Sequence, residues 1–330
     1  AAESGAIVSS QLHRITVPRL KSMKTPSQVV FVLGPVGSTG HRQSLYIVQF
    51  EQAQRYRNRV RASQGGGGRG EWATAGCDGS GRRRPAVSLS APELVLPPVY
   101  RLITLREHRD AFAHAMAVGP EAGAGTLVWV RRFDLVEVAV VFEPEEPLVS
   151  ARRILYAGMN ALADALAAHA PPEKPVNFRW PDTLLFDGAI VGGGRIGWPE
   201  GAPEDEPPPF LVFGAMLRTF VGAKTESGDW SFGTSLEAEG VDVIDMAELV
   251  ESFSRHLMVH VHEWMDRGFR KVGETWLARL PREGAGRRGL DVNGDFLLTP
   301  AGGGAPVRHA LLPGLAAPAW LDPETGLPWL

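Results

Sequence analysis

The sequence predicts an α+β fold: a mixed β-sheet flanked by helices, with a small C-terminal β-rich module behind it. Three observations lead there. From about residue 95, strand-like and helix-like segments alternate, as they do when helices cover a sheet. Hairpin signals sit inside that alternation, at Asp187-Gly188 and Asn293-Gly294, so some neighbouring strands must run antiparallel. The chain has 330 residues, 44% hydrophobic and 22% charged, which suffices for one large domain and a small one.

The elements follow in order. "REHRDAFAHAMAVG" reads as a helix that ends at a Gly-Pro pair, Gly119-Pro120. "GTLVWVRRFDLVEVAVVFEP" supplies two β-rich runs, 126–130 and 135–142. A strong helix begins at "PLVSA", where Leu155, Met159, Leu162 and Leu166 recur at helical spacing, and "PPEKP" stops it. Strands are expected at 176–180 and 183–186, then the Asp187-Gly188 turn and a strand at 189–191. After the loop "WPEGAPEDEPPP" comes a strand at 210–216. The longest helix, 245–267, carries Leu249, Phe253, Leu257, Val261 and Trp264 on one stripe. "GLDVNGDFLLTP" and "APVRHALLP" make the β-rich end. The division expected is an extension over 1–90, a main domain over 91–285 and the small module over 286–330.

Residues 1–90 have a different character. Of the 34 Lys and Arg, 13 fall there, against 4 of the 37 Asp and Glu, leaving this part at +9 and the remainder at −12. "QGGGGRG" and "GCDGSGRRRP" show no sustained apolar periodicity, as expected of a disordered or non-native extension, with an organelle transit peptide as the alternative. "LGPVGSTG" looks like a phosphate loop, but Gly34 and Gly40 are followed by His41 and Arg42 where that loop needs Lys and Ser/Thr, so it reads as a turn. No nucleic-acid-binding motif is present and the acidic part would repel a phosphate backbone. No apolar run reaches 18 residues, so no membrane span is expected. Cys77 is the single cysteine, which excludes an internal disulfide and a Cys-rich zinc site and fits a reducing, cytoplasmic setting.

The richest chemistry lies in "NFRWPDTLLFDGAIVGGGRIGW". Arg179, Trp180, Pro181 and Asp182 set a cation, an indole, a rigid ring and a carboxylate side by side. Gly192, Gly193 and Gly194 would let backbone N–H groups approach a phosphate or carboxylate, and Arg195 follows them. Arginines fork onto phosphate oxygens, and Arg131 and Arg132 close another strand. Asp182 is a candidate Mg²⁺ ligand. Together these suit an acid and a nucleotide phosphate. The same residues also read as plain structure: Trp180 as core, Asp187-Gly188 as a turn, the glycines as a bulge packed against a helix. His256 and His260 lie at i,i+4 and could share a metal. Beside them His262-Glu263 lacks a zincin's second histidine, since Asp266 stands four residues on, and polar-face histidines are the simpler reading. No Gly-x-Ser-x-Gly elbow occurs.

"RWPDTLLFDGAIVGGGRI" resembles the central motif of the biotin/lipoate protein ligase family: Lys-Trp-Pro-Asn-Asp, an apolar strand, a turn, then Lys-x-x-Gly-Ile. "GTSLEAEG" before a long helix and "GLDVNGDFLLTPAGGG" near the end are similar to the same family, so the resemblance spans roughly residues 95–315. It implies a mixed sheet of the class II synthetase type with a small C-terminal β-barrel-like module. It also implies ATP-dependent activation of biotin or lipoate to an acyl-adenylate, with Mg²⁺, and transfer to a lysine of an acceptor domain. Arg179, Asp182 and Arg195 then become the candidate catalytic groups. Arg131, Arg132, Trp180, Pro181, Gly192, Gly193 and Gly194 become the candidate acid- and adenylate-binding ones. Three departures stand out. Arg179 replaces the motif's first lysine, and Ile190 falls where its second lysine stands. The long Gly-Arg-rich loop of the family is reduced to "VRRFD".

Two functions compete. A divergent ligase would adenylate the acid; a pseudo-ligase would hold a cofactor acid or an acyl-carrier domain without doing so. The related octanoyl transfer needs a cysteine that the region after residue 90 lacks. A repressor role would need an N-terminal winged helix, which residues 1–90 do not show.

Overall fold

The computed structural model describes residues 94–221, 233–241, 246–281 and 286–329, with the backbone of two short strands further upstream. The chain divides into two compact units, Ala1–Gly76 and Cys77–Leu330. In the first, β1 (Val30–Phe31) pairs antiparallel with β2 (Tyr46–Ile47). The other expectations for 1–90, including the disordered or transit-peptide extension, the Gly34–Gly40 turn and Cys77, lie outside the described residues.

The second unit opens with β3 (Arg101–Arg106), α1 (Ala111–Ala122), β4 (Thr126–Arg131) and β5 (Leu135–Phe142). Two helices follow, α2 (Leu148–Ala151) and α3 (Ile154–Ala167), then β6 (Val176–Arg179), β7 (Thr183–Phe186), β8 (Ala189–Gly197) and β9 (Leu211–Arg218). The helices α4 (Met246–Arg267) and α5 (Phe269–Ala278) come next. Last are β10 (Arg287–Leu290), β11 (Phe296–Thr299), β12 (Val307–His309) and α6 (Leu311–Leu315). Seven strands form one mixed sheet in the order β3-β4-β5-β9-β8-β7-β6; only the β3–β4 pair is parallel. The last three strands form a separate antiparallel sheet. The α+β class expected from the sequence is the class observed.

One face of the large sheet packs on α3, α4 and α5. Val136, Val138 and Val140 of β5 join Leu155, Met159, Leu162, Phe253, Leu257 and Trp276 in the main core. Helix α3 lies close enough to the sheet that a Cβ on Gly158 would overlap the Phe213 ring. This explains a glycine inside a helix, where it otherwise costs about 1 kcal/mol.

The structure corrects two expectations about helices. Helix α1 does not stop at Gly119-Pro120 but runs on to Ala122 and ends at Gly123, whose φ is 75°. Gly119 is small because Phe210 packs on it, with ring atoms 2.6 Å from where a Cβ would stand. The helix expected from "PLVSA" is split at Arg152 and Arg153, whose side chains pair with Glu204 and Glu146.

Candidate functional site

Side chains alternate between faces along a strand, so the face of β5 opposite the main core carries Leu135, Glu137, Ala139 and Val141. Register extends it: Glu137 stands opposite Met216, which stands opposite Gly193, and Ala139 opposite Gly214, which stands opposite Arg195. Helix α1 covers one end of this face, where Ala111 and Ala115 pack on Val128, Val130, Ala139, Val141 and Val212. At the other end Leu135, Ile190 and Met216 form a separate apolar patch. Between the two ends lies a polar band.

Two of the expected arginines meet in that band. Arg195 on β8 donates to both Asp110 oxygens, at 3.0 and 3.1 Å, and stacks 4.3 Å over Phe112. Arg132 grips Asp134 through two bonds of 2.8 and 2.7 Å and lies 3.6 Å from Glu137. Glu137 is 2% exposed and accepts the Ala111 N–H at 2.6 Å. Burial raises its pKa, against the Ala111 N–H and the charges of Arg132 and Arg195. The other two arginines are exposed and have no ion pair among the described residues. Arg131 lies 6.0 Å from the Trp129 ring centre, and Arg179 acts on Asp182 through its charge. The connection between β4 and β5 is three residues, Arg132, Phe133 and Asp134.

Gly192, Gly193 and Gly194 lie inside β8, which runs on past Val191, where the sequence-based strand stops, as far as Gly197. Each is small because the strand is crowded. A bulge between Leu184 and Leu185 presses Gly192, with φ 155°, onto the Met216 carbonyl. A Cβ on Gly194 would stand 2.8 Å from the Met159 sulfur and 2.9 Å from Phe213. A Cβ on Gly193 would overlap both the Asp182 carbonyl and the Trp320 indole. The Gly194 N–H donates to the Asp182 carbonyl at 2.9 Å.

Trp180 turns away from the patch. Its ring packs on Phe296 and His309 of the small sheet, and a Cβ on Gly314 would stand 2.7 Å from it. Pro181 borders the same contact. Asp182 is fully buried; Thr183 donates to one oxygen at 3.3 Å, and the other has no partner among the described residues. Burial pushes its pKa up to about 7, against the Thr183 bond and the Arg179 charge. Mg²⁺ takes ionised carboxylates in an octahedron of oxygens. Asp182 is protonated much of the time near neutral pH, and among the described residues no three His, Cys, Asp or Glu cluster to hold a metal. As placed, these residues do not fit the ion. His256 and His260 do not face a metal site either. Both approach Asp164, at 3.9 and 2.7 Å, and Arg279 binds its other oxygen.

One residue of the site escaped the sequence reading. Trp320, from the C-terminal tail, is fully buried on the Leu135–Ile190–Met216 patch, and its Nε1–H donates to the Gly194 carbonyl at 3.1 Å. No local pattern marks it. Its aromatic class was the only signal.

Residues 96–278 match the Biotin/lipoate A/B protein ligase family, and the chain belongs to that family. Similar solved structures include a biotin protein ligase-like protein of unknown function from Silicibacter sp. TM1040. It is 25% identical with a TM-score of 0.59, over 68% of this chain and 100% of that one. The biotin protein ligase of Aquifex aeolicus is 14% identical with a TM-score of 0.52, over 64% of this chain and 96% of that one. A mutant of that enzyme in complex with biotin is 13% identical with a TM-score of 0.50, over the same shares. No curated protein matches the sequence. Ile190 is 4% exposed in the apolar patch.

Proposed function

We propose that this chain binds a biotin- or lipoate-like carboxylic acid on the Leu135–Ile190–Met216 patch, with the carboxylate toward Arg132 and Arg195, and activates it with ATP. The carboxylate oxygen would attack the α-phosphorus and release pyrophosphate. An acceptor lysine amine would then attack the acyl carbon and release AMP. One observation carries the reading: an apolar floor, Leu135, Ile190 and Met216, shares a sheet face with the charges of Arg132 and Arg195 beside Glu137. An acid with an apolar body and an anionic end needs that pairing, and cations beside developing phosphate charge stabilise the transition state. Of the four candidate arginines, Arg131 and Arg179 are in no ion pair among the described residues, and these are assigned to the nucleotide phosphates. The candidate acceptor is a biotinyl or lipoyl domain, and the setting is cytoplasmic.

A second reading, binding without adenylation, is favoured by Ile190. It supplies no ammonium to bridge acid and phosphate, and the three-residue β4–β5 connection is too short to shield a mixed anhydride from water. Pyrophosphate release from magnesium ATP, with biotin or lipoate, separates the two. Catalysis requires acid-dependent release that Arg179→Ala lowers at least tenfold. Acid binding with no release selects the second reading, and the absence of both rejects the two together.

A further inference from the structure

The patch assigned to the acid is filled by the chain itself. We propose that the C-terminal hairpin, residues 320–329, is a cis plug of the acid site and that an acid binds by displacing Trp320. This rests on the acid-binding reading above.

Three observations support it. Trp320 is the one fully buried aromatic of the tail, and it lies against Leu135, Ile190 and Met216, with Leu321 and Leu327 of its own hairpin packed on the same cluster. Its partner at the floor is Ile190, at the position where the family motif has lysine. An ammonium there would face a buried indole without water, so the absent lysine and the seated tryptophan fit one another. The hairpin is also built to leave as a unit. Its own bonds close it, Trp329 N–H to the Trp320 carbonyl at 3.0 Å and Asp322 N–H to the Leu327 carbonyl at 2.8 Å. It is tied to the large sheet by the Trp320–Gly194 bond and by the Arg218 guanidinium on the Pro328 carbonyl. Its turn, Pro323 to Gly326, is exposed, as are Ala316, Ala317 and Ala319 in the segment leading to it. Withdrawing it breaks no strand pairing of the seven-stranded sheet.

The test combines calorimetry and hydrogen exchange on the full chain. Trp320→Ala should bind biotin or lipoate at least tenfold more tightly than the parent. Amides of 320–329 should exchange faster than those of β8 and β9, and faster again with the acid bound. Equal affinity in parent and variant overturns the plug and leaves the acid reading standing. Binding to neither, with the variant folded, overturns the acid reading itself. Should Trp320→Ala fail to fold, Ile190→Lys serves instead. It should expel the indole and raise exchange of 320–329 at least tenfold without ligand; unchanged protection overturns the plug. Exchange of the hairpin only with unfolding of the whole sheet does so as well.

Discussion

The indole N–H of Trp320 donates to the carbonyl of Gly194 at 3.1 Å, joining the tail of the chain to the glycine-rich strand β8. Gly194 stands one residue beyond the last β7–β8 pair, Thr183 with Gly193. The bond therefore falls just past the last of those pairs, where the Gly194 N–H still holds the Asp182 carbonyl. Around it Ile190 packs with Leu135 and Met216 against the aromatic ring.

The ring depends on a missing side chain. Gly193→Ala would place a methyl group into the space of both the indole and the Asp182 carbonyl. Overpacking of this kind costs about 1–3 kcal/mol. Chemical denaturation should show a loss of that size, and protection of the 320–329 amides should fall. An unchanged midpoint with unchanged protection would mean that the indole is not seated on Gly193.

Asp182 gives the fold a pH dependence of defined sign. Its folded pKa is about 7 against an ordinary value of 3.8, mainly through burial. The native protein thus holds this proton more tightly than the unfolded chain. The contribution to stability is complete below the unfolded pKa and is lost as pH rises through about 7. Asp182→Asn removes a charge that must otherwise be buried. At pH 8 the variant should be more stable than the parent, on the order of a few kcal/mol, and at pH 4 nearly equal to it. Denaturant titrations at both pH values check this; the same difference at pH 4 and pH 8 would contradict it.

Away from the apolar patch, Asp164 joins α3 to α4 and to Arg279 at the end of α5. Burial alone would raise its pKa, but the His260 hydrogen bond and the Arg279 charge outweigh burial and hold it low. Asp164→Ala leaves Arg279 and the nearly buried His260 without their shared anion. A loss of about 2–3 kcal/mol is expected, below that for a fully buried pair because Asp164 is partly exposed. Added zinc or another divalent ion should not raise the melting temperature of the parent, since the histidines serve a carboxylate. A metal-dependent rise would restore the metal reading of His256 and His260.

The sheet was legible because hydrophobic alternation and turn residues are local. The strands at 135–142 and 183–186 coincide with β5 and β7, and Asp187-Gly188 is the turn between β7 and β8. Three elements were not legible. β3, "RLITLR", is a half-exposed edge strand whose charged ends merge into the polar stretch before α1. Helix α5 follows α4 after Gly268 alone and buries only Val272, Gly273 and Trp276. The strand through Gly192, Gly193 and Gly194 carries no side-chain pattern, because tertiary crowding and not propensity selects its glycines. In the site, residue types were readable but pairings were not. Asp110 is 85 residues from Arg195 and Trp320 is 126 from Gly194, separations that no local pattern spans.

A crystal structure with a non-hydrolysable biotinyl- or lipoyl-adenylate analogue tests the acid site and its plug together. The expected result is the acyl group on Leu135, Ile190 and Met216, with Trp320 withdrawn from Gly194 and Arg132 and Arg195 turned toward the carboxyl end. An analogue bound elsewhere, with the Trp320 indole still on the Gly194 carbonyl, would contradict it.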